Sequence, residues 1–227
     1  MRGRPYCLLT PAVILAGMGV AAVVLLGFAL RLWRLAHLGD LEFDEIVSVR
    51  YAALPAGELL PRLAGALFEH PPAFYLALGW WQSALGESDT AARLASTIPG
   101  TLTIPLAFAV ARRLFDRRTG LVAALLVAIA PLPLFYSREA RMYALVACLA
   151  LASLWLFLRG LAAAHADPGT EPHRCRDGSP LRAPAPLRRS SPRSSSGTSS
   201  QIGLWIAYTL VGALTAYVHY LGALLIA

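Results

Sequence analysis

The sequence predicts an all-α protein that crosses a membrane several times. Three observations carry this. Of the 227 residues 57% are hydrophobic and only 15% are charged, where a soluble domain carries about 25% charged residues. The mean hydropathy is +0.57. Uncharged runs at 8–30, 94–111, 119–137, 142–158 and 202–218 approach or reach the ~20 residues that span a bilayer, and a further run begins at 221. The runs that fall short need flanking Arg to snorkel to the interface.

The first span follows a basic start, with Arg2 and Arg4 ahead of a charge-free run of 23 residues from 8 to 30. That is longer than the core of a cleaved signal and has no A-x-A site, so an uncleaved helix is expected. Residues 31–93 then form a long polar segment, with the acids Asp40, Glu42, Asp44, Glu45, Glu58, Glu69, Glu87 and Asp89. Within it, 73–85 is apolar but short, and Trp80 and Trp81 suit a helix lying at headgroup level. Pro99, Pro105, Pro131 and Pro133 fall inside expected spans, where membrane helices tolerate them. The segment 159–200 is rich in Pro, Ser, Gly and Arg, with seven Arg against three acids, and reads as a disordered loop. The expected organisation is therefore a membrane module over 1–158, a disordered cytoplasmic loop over 159–200, and a fifth span with the start of a sixth over 201–227.

Charge sets the orientation. All 20 basic residues are Arg, and basic residues favour the cytoplasmic side. If 73–85 does not span, the N-terminus, the cluster Arg112, Arg113, Arg117 and Arg118, and the 159–200 loop all fall inside. The segment 31–93, the turn YSREARMY and the pair His219-Tyr220 then face outward. A net charge of +7 does not imply a nucleic-acid partner, because the Arg clusters abut apolar spans and lack interleaved aromatics. Membrane lipids are the expected contact. Three cysteines, Cys7, Cys148 and Cys175, are widely spaced and form neither a disulfide framework nor a zinc motif.

Four constellations on the outward side could carry chemistry. Asp44 and Glu45, in LEFDEIVSV, are adjacent and so do not share a helix face. Asp44 is placed to cap a helix over the following residues, or to serve as a general base or metal ligand at the membrane surface. His70-Pro71-Pro72 is an extended stretch followed by a helix start, with His70 a candidate phosphate or metal contact, or a simple cap. Arg138, Glu139, Arg141 and Tyr143 crowd the outer end of an apolar hairpin. Such residues are often snorkelled anchors, yet an anionic ligand would compensate them, and Arg grips phosphate bidentately. His219 and Tyr220 serve either packing or a ligand. No phosphate-binding loop, zinc signature or nucleophile elbow competes.

The order of a first span, FDE in a large outer segment, HPPAFYLALGWWQSALGESDTAARLASTIPG with the following span, YSREARMYAL, and then YVHYLGALL resembles the N-terminal half of GT-C glycosyltransferases. The relatives in view are bacterial ones of the protein O-mannosyltransferases and aminoarabinose transferases. The resemblance implies a polytopic helical protein with amphipathic juxtamembrane helices in its first outer loop. It implies transfer of a sugar from a polyprenyl-phosphate carrier to a lipid, glycan or protein acceptor at the outer face of a bacterial inner membrane. It places the key catalytic acid on Asp44 with Glu45 beside it, Arg138 and Arg141 near the carrier phosphate, and His70 in the site wall. Some relatives carry an acid near the start of the fourth span where this chain has Tyr143, so that second carboxylate is either missing or replaced by Glu139. No cofactor is demanded, and a divalent metal is compatible, with Asp44 its candidate ligand. Such enzymes have about twice this length, so an N-terminal fragment is expected. The competing readings are a non-catalytic membrane remnant or assembly subunit, and a lipid or solute transporter. A transporter would show mid-membrane charges and paired half-repeats, and neither is visible.

Overall fold

The computed structural model describes residues 11–33, 35–65, 70–165 and 196–219. Within them the chain is all helical: α1 Pro11–Leu32, a 3-10 turn Leu35–His37, α2 Phe43–Ala52, α3 Ala56–Gly65, α4 Ala73–Leu85, α5 Asp89–Leu114, α6 Arg117–Ile129, α7 Pro131–Tyr136, α8 Tyr143–His165 and α9 Ser196–Val218. Cys7, Cys175, Tyr220, the run beyond 220 and residues 166–195 of the expected 159–200 loop lie outside the described residues, while 159–165 and 196–200 are not loop but the end of α8 and the start of α9.

Among the described residues three helices are long and apolar enough to cross a membrane: α5, α8 and the Gln201–Val218 part of α9. Residues Gly17–Leu32 of α1 form a shorter apolar helix. The long helices expose Ile98, Leu102, Leu154, Ile206 and Leu210 on their flanks. In water such surface would be a liability, but lipid solvates it as readily as the protein interior does.

The central helix is α5, which packs on α1, α4, α6 and α8, while α9 packs on α8. Its buried positions are mostly small: Ala91, Ala92, Ser96, Thr97, Gly100, Thr103 and Ala107. Small residues let backbones approach closely, which is how membrane helices gain van der Waals contact without a hydrophobic drive. At Gly100 a Cβ would stand 2.1 Å from Ser137 Oγ, so glycine is required for the turn after α7 to seat there. Ser88 starts α5 by accepting from the Ala91 amide, and Asp116 starts α6 by accepting from Thr119 at 2.7 Å.

The expected span 119–137 is not one helix. It divides into α6 and α7 at Ala130, which is extended (φ −62°, ψ 138°). The cause is Pro131, which disfavours helical geometry in the residue before it and has no N–H for the Val127 carbonyl. The orphaned carbonyls are taken by Arg31 from α1. Its Nη2 donates to Val127 at 3.2 Å and its Nη1 to Ala128 at 3.3 Å, while Nε donates to Ser137 Oγ at 3.1 Å. Arg31 is fully buried. A charge in a membrane helix thus acts as a clamp between α1, the α6–α7 break and the following turn.

The largest buried cluster lies at one end of the bundle. There Ala52, Leu59, Phe74, Tyr75, Leu78, Ala140, Met142 and Val218 pack together. They come from α2, α3 and α4, from the 137–142 turn and from the end of α9, so the short helices lie across the helix ends as a cap. Residues 73–85 form α4 with its buried face toward α2 and α5. Trp80 is exposed, and Trp81 Nε1 donates to the Ala91 carbonyl at 2.8 Å. Pro72 stands at the N-cap of α4, with His70 just before it.

Candidate functional site

Among the described residues, a network of buried charged and polar side chains gathers at this capped end. Its organising group is Glu45, 2% exposed, bound by Arg93 of α5, 4% exposed. Arg93 Nε donates to Oε1 at 3.1 Å and Nη2 to Oε2 at 2.9 Å, a bidentate fork. The same guanidinium donates to the carbonyls of Gly39 and Asp40, both at 3.0 Å. Glu45 further accepts the Ala140 amide at 2.8 Å and the Glu42 amide at 3.0 Å. One carboxylate therefore joins α2, the segment before it, α5 and the 137–142 turn.

The capping geometry differs from expectation. The N-cap of α2 is Glu42, and Glu45, three residues on, reaches back to its amide. Asp44 lies inside the first turn. This divides the acid pair, since adjacent side chains on a helix point apart.

Burial works to raise the Glu45 carboxyl. The hydrogen bonds from Arg93, from the Ala140 and Glu42 amides, and the Arg93 charge outweigh it, and the net effect holds Glu45 below its ordinary value of 4.5. The stabilisation it gives is therefore present above that value and lost as pH falls through the lower folded value. In detergent melts scanned from pH 7 down to pH 3, the wild type should lose stability more steeply below about pH 4.5 than Glu45→Gln. Equal slopes would show that the carboxylate is not the acid-sensitive group.

Asp44 faces the other way, its side chain 60% exposed. Beside it stands Arg141, 8% exposed. Arg141 Nη1 donates to the Asp44 carbonyl at 3.1 Å, and its Nη2 lies 3.7 Å from Asp44 Oδ2 and 3.3 Å from the Tyr143 hydroxyl. The guanidinium carbon sits 5.6 Å from the centre of the Tyr143 ring. Ser96 Oγ holds the Arg141 carbonyl at 2.9 Å. The buried Arg141 Nε has no hydrogen-bond partner among the described residues. His219 and His70 complete this face, their rings 4.5 Å apart, with Tyr143 6.2 Å from His219. Burial, and then the Arg141 charge, lowers the His219 imidazole. Sequence-distant Asp44, His70, Arg141, Tyr143 and His219 are thus neighbours, as are Tyr136 and Tyr143, 4.8 Å apart.

Arg138 and Glu139 are placed differently. Arg138 Nη2 donates to the Leu30 carbonyl at the end of α1. Both residues line a cleft of about 340 Å³ on the side of the Glu45–Arg93 pair where Asp40 and Glu42 stand. Arg138 and Arg141 do not fork onto one spot. Burial pushes the Glu139 carboxyl up; Arg141 opposes this, and the charges of Glu45, Glu42 and Asp44 add to it.

Below the Arg141 face an apolar groove of about 240 Å³ runs between α5, α7 and α8. Gly100, Thr103, Leu132, Pro133, Ala147 and Leu151 form its walls, and Tyr136 and Tyr143 stand at its polar end. Among the described residues no three His, Cys, Asp or Glu side chains come together as a metal-binding group. Asp44 is a single exposed carboxylate. Arg93 and Arg31 are the organising residues that sequence reasoning passed over. Their only signal is a lone Arg beside small and apolar residues, which also describes a snorkelled anchor.

The fold is that of an all-α membrane protein with a buried polar network at one end of the described bundle. Residues 69–167 match the family model described as dolichyl-phosphate-mannose-protein mannosyltransferase, a little under half of the chain. That stretch, which holds α4 to α8, is similar to this GT-C family, and the likeness points to a membrane glycosyltransferase. No curated protein and no solved structure gives a significant match.

Proposed function

We propose that the chain takes part in moving a sugar from a polyprenyl-phosphate carrier to an acceptor hydroxyl at the outer face of a bacterial cell membrane. The observation that supports this most is Arg141. It is a buried guanidinium with an unpaired Nε, between the exposed carboxylate of Asp44 and the head of an apolar groove lined by Tyr143. A lipid phosphate brings the two parts such a place accepts: a charge for the arginine and a hydrocarbon tail for the groove.

In this reading the isoprenoid lies in the groove and its phosphate meets Arg141 and the Tyr143 hydroxyl. Asp44 takes the proton of the acceptor hydroxyl as its oxygen attacks the anomeric carbon. The carbon–phosphate oxygen bond breaks, and Arg141 stabilises the leaving phosphate. His219 and His70 form the wall beside it, and Glu45 with Arg93 fixes the backbone that carries Asp44 and Arg141. A divalent metal, if used, would take Asp44 and draw further ligands from phosphate and water, as Mg²⁺ commonly does. The opposite end of the bundle bears Arg112, Arg113, Arg117 and Arg118. The excess of Arg there favours the cytoplasm and turns the site outward.

The test is sugar transfer from polyprenyl-phosphate donors in membranes that contain the chain as it naturally occurs. Arg141→Met should lower kcat/KM about 10²- to 10³-fold, the scale of losing one donor to a developing charge, with weaker binding of the free carrier phosphate. Absence of transfer with any such donor overturns the reading.

A further inference from the structure

We propose that the cleft behind the Glu45–Arg93 pair is a binding site for a neutral, polyhydroxylated sugar ring. It rests on the sugar-transfer reading, but binding and transfer are measured separately, so either can fail alone. The cleft is distinct from the Asp44–Arg141 face and shares with it only the wall between them.

Its size, about 340 Å³, lies at the lower end of the range of about 300–1,000 Å³ typical of small-molecule sites. Its polar side is formed by Asp40, Glu42, Glu45, Glu139, Arg93 and Arg138. Four carboxylates disfavour an anion, which separates this cleft from the phosphate-seeking Arg141. Glu45 and Arg93 already satisfy one another. What remains open is specific. Glu139 Oε2 and Arg138 Nε are buried and have no hydrogen-bond partner among the described residues. Leaving such atoms unpaired costs free energy, and each one in a native structure needs an explanation. A hydroxyl group can answer both, donating to the carboxyl oxygen and accepting from the guanidinium. An ammonium cannot accept from the second, and a phosphate would meet the surrounding carboxylates of Asp40, Glu42 and Glu45. Burial also draws the Glu139 carboxyl toward its neutral form, in which it both donates and accepts, as ring hydroxyls require. The other side is apolar, with Leu38, Leu134 and the largely exposed Phe135. This is the surface that the C–H face of a sugar ring covers.

The ring is assigned to a glycan acceptor, because the donor's sugar stays bonded to the phosphate held on the Asp44–Arg141 face. Saturation-transfer NMR on the chain in lipid nanodiscs, with methyl glycosides of mannose, glucose, galactose, arabinose and N-acetylglucosamine as probes, decides the matter. At least one glycoside should receive saturation. The signal should fall tenfold or more in Glu139→Leu, which removes the unpaired acceptor, or in Leu134→Trp, which fills the cleft. Each variant counts if it elutes as the wild type and still binds decaprenyl phosphate. No transfer to any probe, as when water alone fills the cleft, overturns the proposal. So does a signal unchanged in both variants. Preloading with a polyprenyl-phosphate sugar should leave the glycoside signal in place; displacement would put the donor's ring in the cleft and overturn the assignment to an acceptor glycan.

Discussion

Asp44→Asn is expected to reduce sugar transfer by about 10²- to 10⁴-fold, the range that a positioned general base contributes, while the protein folds and inserts as before. The second half follows from geometry. Asp44 makes a loose contact with Arg141 at 3.7 Å and its side chain is 60% exposed. Such a pair is worth little to stability, of the order of 0–1 kcal/mol. The stronger tie between these residues is the Arg141 hydrogen bond to the Asp44 carbonyl at 3.1 Å, and asparagine keeps that carbonyl. The substitution removes the basic oxygen and little else. Steady-state rates with a radiolabelled lipid donor, set beside detergent melts, separate the two effects. Transfer near the wild-type level would remove Asp44 from the reaction. A loss reversed by raising Mg²⁺ or Mn²⁺ would make it a metal ligand rather than a base, because a weakened site refills at higher ion concentration.

Asp44 also shows where sequence reasoning reaches and where it stops. The membrane helices were legible because a bilayer imposes long charge-free runs, and α5, α8 and α9 stand where those runs are. The gathering of FDE, HPP, REAR and His219 at one end was legible as well, since an even number of crossings between them returns the chain to the same face. The different fates of Asp44 and Glu45 were not. Both acids read alike in the string, and only the position of Arg93, 48 residues away, decides which is buried. The cap at Glu42 was available as a Glu–x–x–Glu spacing but was hidden by the more usual capping residue Asp44. The break at Ala130 was signalled by Pro131, yet prolines at 99 and 105 remain inside an unbroken helix. The difference is that Arg31 accepts the role of replacement donor at the first and helical packing persists at the others. Arg138 and Arg141 parted because their turn has no periodicity from which direction can be read.

The fold depends most on the Glu45–Arg93 pair, and its removal is expected to be strongly non-additive. Breaking a buried ion pair by removing one partner costs about 3–5 kcal/mol, since the other charge is left buried and uncompensated. Arg93→Met should approach that figure, because Glu45 would retain only the Ala140 and Glu42 amides. Glu45→Gln should cost less: the amide oxygen can still accept from one donor, although its NH2 group then faces donors. Replacing both, as Glu45→Gln with Arg93→Met, leaves no buried charge at the pair. The double variant should therefore be more stable than the sum of the single losses predicts, by about 0.5–3 kcal/mol, the range of coupling for residues in direct contact. The measurement is a double-mutant cycle from unfolding in detergent. Additive losses would mean that the two side chains act independently and that the pair does not join α2 to α5. The cycle has a functional arm too. Glu45 anchors the Ala140 amide in the turn that carries Arg141 and fixes the first turn that carries Asp44. If it positions rather than reacts, Glu45→Gln should retain part of its transfer activity under conditions where it remains folded, and Asp44→Asn should not.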